Sequence, residues 1–172
     1  SGALFNPNSN HGLSLIMDNS ILLHINNISV VYSYPMEILK NVSFSVGKGQ
    51  IVTLLGKNGA GKSTVLKTIS GLLKLEHGKI TQGHIEYDGK SIRNLCQEKI
   101  ARKGIIYVLE GSGFKHLTVE ENLKVGTASQ RDKSNKKDLE MIYHYFPALL
   151  ARKKSHAGSL SSGELQMLAI GR

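Results

Sequence analysis

Cysteine, acidic residues and long apolar runs are what this sequence has least of. Cys96 is the only cysteine in 172 residues, which excludes an internal disulfide and a cysteine-rich zinc site and fits a reducing compartment. No apolar run approaches the ~20 residues that a membrane-crossing helix requires. The expectation is a soluble chain that meets a membrane only through a partner. Asp and Glu number 13 against 22 Lys and Arg, a formal net charge of +9. Such an excess suits a polyanionic partner or an anionic membrane surface. Part of it falls in two runs, Arg131 to Lys137 and Arg152 to Lys154, where a solvated helical face is the simpler account. Ahead of Ser20 there is no basic start and no sustained apolar stretch, so a signal peptide is not expected. Residues 1–19 are rich in Asn, Ser and Gly and are expected to be disordered, a leader or added sequence with Met17 as a candidate natural start. The length suits one domain, or one with a satellite, burying about 70% of its unfolded surface.

What the sequence does hold is GKNGAGKST, from Gly56 to Thr64, which satisfies G-x-x-x-x-G-K-[ST]. Before it, Gln50 to Leu55 is a short apolar and β-branched run bounded by Gly49 and Gly56, which predicts a buried parallel strand. After it, Val65 to Leu73 predicts a helix. Strand, glycine-rich turn and helix give the motif its mechanical meaning. Gly56, Gly59 and Gly61, with Lys57, Asn58 and Ala60 between them, free the backbone to wrap phosphates while the helix N-terminus faces the anion. Lys62 is expected to reach the β- and γ-phosphates of ATP, the Ser63 hydroxyl to hold Mg²⁺, and Thr64 to close the motif.

The remaining chain supplies the frame. Ile21 to Tyr32 and Ile38 to Val46 predict two strands of an antiparallel layer, with Tyr34 and Pro35 at their turn. Gly83 to Tyr87, closed by Asp88 and Gly89, predicts another strand and turn. Ile92, Leu95 and Ile100 predict a helix over Ser91 to Lys103 that Gly104 stops, and Ile105 to Leu109 predicts a second buried strand. From Gly111 onward the pattern turns helical. Thr118 with Glu121 makes a capping box, Asp138 to Phe146 a helix stopped by Pro147, and Ser161 with Glu164 a second capping box. The chain stops inside that last, amphipathic helix at Gly171 and Arg172, so a truncation is expected.

Leu160, Ser161, Ser162, Gly163 and Glu164, taken with the phosphate-binding loop, resemble the signature of ABC transporter ATP-binding subunits, which usually reads LSGGQ. Here Ser162 replaces a glycine and Glu164 the glutamine, while Ser161, Gly163 and Gln166 keep the pattern's character. A serine-rich helix N-terminus also offers hydroxyls, backbone N–H groups and a positive dipole end to a γ-phosphate. The resemblance implies that it does so in trans, across a head-to-tail dimer with a homologous subunit. It covers Ile21 to Arg172, and GKNGAGKSTVLKTISGLL, YVLEG, LTVEENL and LQMLAIGR look most like the short ATP-binding subunit of branched-chain amino acid importers, the LivF type.

The resemblance implies an α/β fold: a P-loop core of the ABC ATPase type with an antiparallel β layer over 20–112, and a helical subdomain over 113–172, the C-terminal part of the core missing. It implies ATP and Mg²⁺, membrane permease subunits, a solute-binding protein indirectly, no nucleic-acid partner, and a peripheral place on the cytoplasmic face of the plasma membrane. Glu110 stands where most ABC subunits carry a Gln that senses Mg²⁺ and the permease. Its neighbour Leu109 replaces the branch's usual proline, and Gly111 to Gly113 lack its usual arginines. An aromatic residue from the first strand pair is expected on adenine; Tyr34 is the candidate, with Tyr32 open because an ungapped match puts Ser33 there. Beyond Arg172 the family continues to a strand ending in Asp-Glu and then a switch histidine. Phosphoryl transfer needs such groups for Mg²⁺ and for the attacking water, so nucleotide binding is better supported here than turnover and no catalytic residue is named. Two other classes stay open: an ABC-type ATPase acting on nucleic acid or ribosomes, supported only by the charge, and a non-catalytic nucleotide-binding fragment.

Overall fold

The computed structural model describes residues 20–33, 36–109, 111–127 and 135–172. They fall into two compact units, one ending at Ile105 and the other beginning at Ile106.

The first unit is organised on a four-stranded antiparallel sheet. β1 (Ile21–Ser33) lies between β2 (Met36–Gly47) and β3 (Lys79–Tyr87), with the short β4 (Lys90–Ser91) beyond β3. Ile25, Ile28 and Val30 of β1 are all buried, although Ile25 and Ile28 are an odd number of residues apart and a regular pleat would turn them to opposite faces. A bulge at Asn26 and Asn27 resolves this: the register with both neighbours shifts there, and Asn27 adopts φ 49, a conformation asparagine tolerates. The turn into β4 behaves as its residues require, since Asp88 and Gly89 both have positive φ, 49 and 68, the signature of a tight hairpin. Against the sheet packs α1 (Lys62–Ile69), whose Val65 and Ile69 join Ile25, Val30, Leu39 and Ile85 in one cluster. Each such side chain contributes about 1.5 to 3 kcal/mol when fully buried.

Two predicted strands do not form. Gln50 to Leu55 and Ile105 to Leu109 carry no strand; Ile51 is 96% exposed, Leu55 89% and Ile106 69%. A parallel strand draws its backbone hydrogen bonds from chains alongside it, and no described strand pairs with either segment. Leu54 and Ile105 alone of these runs pack against the first cluster. The helix expected over Ser91 to Lys103 shrinks to α2 (Gln97–Ala101). Its first part is held to β3 instead: Ile92 N–H donates to the Ile85 carbonyl at 3.0 Å, and the Arg93 guanidinium donates to the carbonyls of Gly83 and Ile80.

The second unit is helical: α3 (Val119–Thr127), α4 (Asn135–Tyr145), α5 (Pro147–Ala151) and α6 (Ser162–Gly171). Val119, Leu123, Leu149, Leu160 and Leu168 form its core. Pro147 ends α4 and opens α5, where its missing N–H costs nothing. The helix α6 is apolar on more than one side rather than amphipathic: Leu168 and Ala169 are buried while Ile170 is 54% exposed.

Both capping boxes form. Thr118 N–H donates to Glu121 Oε2 at 2.7 Å and Glu121 N–H to Thr118 Oγ1 at 3.2 Å; Ser161 N–H donates to Glu164 Oε2 at 2.8 Å and Glu164 N–H to Ser161 Oγ at 3.2 Å. The backbone N–H groups of Thr118 and Ser161 hold both carboxyls below their ordinary 4.5. A depressed folded value means the contribution is complete above 4.5 and is lost as pH falls through the lower folded values. The side chains of Glu121 and Glu164 are therefore expected to titrate below 4.5 in NMR, with the melting temperature falling over the same range. A midpoint at or above 4.5 contradicts the boxes.

Candidate functional site

Gly56 to Ala60 form an exposed turn closed by Ala60 N–H on the Lys57 carbonyl at 3.1 Å. Gly59 and Gly61 follow at φ 83 and 87, which reverses the chain so that α1 starts at Lys62. Glycine at 61 is required twice over. The left-handed φ disfavours any side chain, and a Cβ there would lie 2.6 Å from Leu39 Cδ2 in the core.

The N-terminus of α1 has no side-chain cap and no acidic residue in its first turn. Its first internal bond runs from Val65 N–H to the Gly61 carbonyl, so the N–H groups of Lys62, Ser63 and Thr64 have no partner within the helix. Together with the helix dipole they make a place for an anion. Lys62 Nζ curls back onto the carbonyls of Gly56 at 2.8 Å and Lys57 at 2.9 Å. The Ser63 side chain is exposed at the same end, whereas Thr64 is buried beneath it. Among the described residues no group of three His, Cys, Asp or Glu gathers to hold a metal. A divalent cation here would depend on Ser63 and on oxygens brought by the nucleotide itself, the arrangement hard cations accept.

At α6 the capping box changes what the signature residues offer. Ser161 Oγ accepts the Glu164 N–H and the Glu164 carboxylate accepts the Ser161 N–H, leaving Ser161 its hydroxyl proton to donate. Ser162 and Gly163 are exposed in the first turn, and a Cβ at Gly163 meets nothing within 4 Å.

Tyr32 is tied down. Its hydroxyl donates to Glu76 Oε2 at 3.0 Å, Glu76 pairs with Lys67 Nζ at 2.6 Å, and the ring packs on the first cluster. Burial, then the Glu76 contact, raises the Tyr32 pKa, while bonds from Lys67 and Tyr32 hold Glu76 below its ordinary value. Tyr34 and Glu110 lie outside the described residues. Sequence reasoning missed the Tyr32, Glu76 and Lys67 chain, which joins β1 to α1, and it missed Asn122, fully buried with its amide bonded to the loop of Phe114 to Thr118. The one local hint for Asn122 is its place directly after the Thr118 and Glu121 box.

A family model described as ABC transporter matches residues 39–172. The chain belongs to this family. It is 40% identical over 152 residues to the high-affinity branched-chain amino acid transport ATP-binding protein BraG of Pseudomonas aeruginosa, covering 88% of this chain and 63% of that relative. It is 39% identical over 137 residues to the probable branched-chain amino acid transport ATP-binding protein LivF of Archaeoglobus fulgidus, covering 78% and 56%. The chain thus spans less than two thirds of these relatives. Among solved structures, a nucleotide-free ATP-binding cassette from an ABC transporter superposes with a TM-score of 0.74 at 28% identity, over 88% of this chain and 64% of the other. The ADP conformation of an ABC transporter cassette gives 0.74 at 28%, over 89% and 64%. The antiparallel sheet and the helices are therefore those of an ABC ATPase core. No helix among the described residues is long and apolar enough to cross a membrane.

Proposed function

We propose that this ABC family member binds ATP with Mg²⁺ at Gly56 to Thr64 and serves as the ATP-binding subunit of an importer for branched-chain amino acids. The observation that carries the binding is the uncapped, acid-free start of α1 behind two left-handed glycines. Phosphate oxygens replace the Gly56 and Lys57 carbonyls as partners of Lys62, exchanging neutral acceptors for charged and stronger ones. The N–H groups of Lys62, Ser63 and Thr64 converge on the same oxygens, and Ser63 contributes its hydroxyl to Mg²⁺. Bound ATP supplies the transferable γ-phosphoryl group. Adenine stacks on Tyr34, and Glu110, in the Mg²⁺-sensing position, meets the permease together with Ser112 to His116.

The loop belongs to a nucleotide core over 20–112 and the signature to a helical subdomain over 113–172. Ser161, Ser162, Gly163 and Glu164 address the nucleotide of a homologous subunit across a head-to-tail dimer. With Glu164 ionised and engaged by Ser161, the phosphate contacts fall to the hydroxyls of Ser161 and Ser162 and to first-turn N–H groups. ATP closes the pair and hydrolysis reopens it, driving a permease from the cytoplasmic face of the membrane, with a solute-binding protein acting upstream. The roles of the two relatives in branched-chain amino acid transport support the substrate.

Two measurements test this reading. Deleting the parent gene is expected to reduce uptake of leucine, isoleucine or valine; normal uptake of all three with a defect in another solute removes the substrate and spares the nucleotide site. The 172-residue sequence contains no apolar run ending in Asp-Glu, so its phosphate release from ATP is expected to match that of a Lys62→Ala control. Lys62-dependent release means another residue orients the water.

A further inference from the structure

A cavity lies within the first unit, between the end of α1, the turn at Leu73–Glu76 and β3, with a volume of about 530 Å³. That is within the roughly 300 to 1,000 Å³ of small-molecule sites. Its apolar wall is Leu73, Ile80, Leu95 and Ile100. Its polar lining is basic: Lys74, His77, Lys79 and Arg93 contribute, and no acidic side chain does. The carboxylate in the adjoining turn, Glu76, is turned to Lys67 and Tyr32. Arg93 is half-buried and anchored by Nη1 on the Gly83 carbonyl at 2.8 Å and Nη2 on the Ile80 carbonyl at 3.3 Å. Those bonds fix the guanidinium plane and use two of its five donors, leaving a preorganised cation held by two neutral carbonyls.

We infer that this cavity binds a small carboxylate with an apolar body, the carboxylate on Arg93 with Lys74 and Lys79 close by, the hydrocarbon against Leu73, Ile80, Leu95 and Ile100. The complementarity runs both ways. A cation is repelled by Lys74, Lys79 and Arg93, a neutral amphiphile leaves Arg93 without a charged partner, and a dianionic head costs more to desolvate than a single carboxylate. The site is separate from the phosphate-binding loop, and none of its lining residues belongs to Gly56 to Thr64.

The test is titration of the chain with octanoate, octanol and octylammonium, followed by calorimetry and by amide shifts. Octanoate is expected to bind at least about tenfold tighter than octanol, the equivalent of one charge-assisted hydrogen bond. Octylammonium is expected not to bind, and the shifts to centre on Leu73, Ile80 and Leu95. Arg93→Gln should weaken octanoate about tenfold. Because Arg93 also braces β3, the exposed pair Lys74→Gln and Lys79→Gln serves as a second variant, expected to weaken octanoate while leaving octanol and the melting temperature unchanged. Equal affinity for octanol, shifts centred on 51–55, absence of octanoate binding, or octanoate binding that neither variant weakens overturns the assignment.

Discussion

Lys62→Ala is expected to abolish measurable binding of ATP with Mg²⁺ and to leave the fold in place. The ammonium is held at the loop, and its bonds run to the Gly56 and Lys57 carbonyls at 2.8 and 2.9 Å. Exchanging those acceptors for two phosphate oxygens brings charge-assisted bonds worth roughly 1.5 to 3 kcal/mol each. Losing both lowers affinity by at least about a hundredfold. The fold loses little, because Lys62 is not a member of the apolar cluster that anchors α1; Val65 and Ile69 are. Calorimetric titration gives the affinity, and a thermal melt within a few degrees of wild type shows the loss is local. Affinity unchanged by the substitution removes the phosphate-binding assignment. Lys62→Arg is an informative partner, since it keeps the charge but replaces a compact ammonium with a broad fork, and it should recover only part of the binding.

Asn122→Ala should destabilise the helical unit by about 2 to 4 kcal/mol, more than any cap in the molecule is worth. Asn122 is fully buried. Its Oδ1 accepts the Phe114 N–H at 2.8 Å, and its Nδ2 donates to the carbonyls of Phe114, Leu117 and Thr118 at 3.0, 3.3 and 3.0 Å. The three carbonyls keep a second donor, from Leu117, Ala157 and Asn122 N–H groups respectively. The Phe114 N–H keeps none that the structure shows. The cost is therefore that donor, the lost amide bonds and the small cavity left by a fully buried side chain. Denaturant unfolding followed by helical circular dichroism measures it. Asn122→Asp preserves the acceptor for Phe114 but removes the donors and buries a charge, so it should be no better tolerated. A change below about 0.5 kcal/mol for Asn122→Ala, the range of a neutral surface substitution, contradicts this account.

The two substitutions sample different kinds of information. The turn that carries Lys62 was legible in the sequence because it comes from a contiguous motif in which Gly59 and Gly61 adopt positive φ and α1 follows at once. The capping boxes were legible for the same reason: Thr118 with Glu121, and Ser161 with Glu164, make reciprocal bonds three residues apart that need no distant partner. Apolar content, alternation and turn residues likewise carried β1, β2 and the turn at Asp88 and Gly89.

Asn122 was not legible, nor was the chain from Tyr32 through Glu76 to Lys67, because each joins residues that come together only after the chain has folded. The same physics explains the failed strands. An apolar, β-branched run such as Gln50 to Leu55 states a preference for extended backbone, but a strand exists only where a neighbour accepts its N–H groups and offers carbonyls in return, and among the described residues none lies alongside. Helix propensity over Ser91 to Lys103 lost in the same way to bonds that Ile92 and Arg93 make with β3. Local geometry thus placed the glycine turn before α1 and the caps from sequence alone. Pairing, burial and side-chain networks waited on the tertiary structure, because their free energy depends on groups that sequence distance hides.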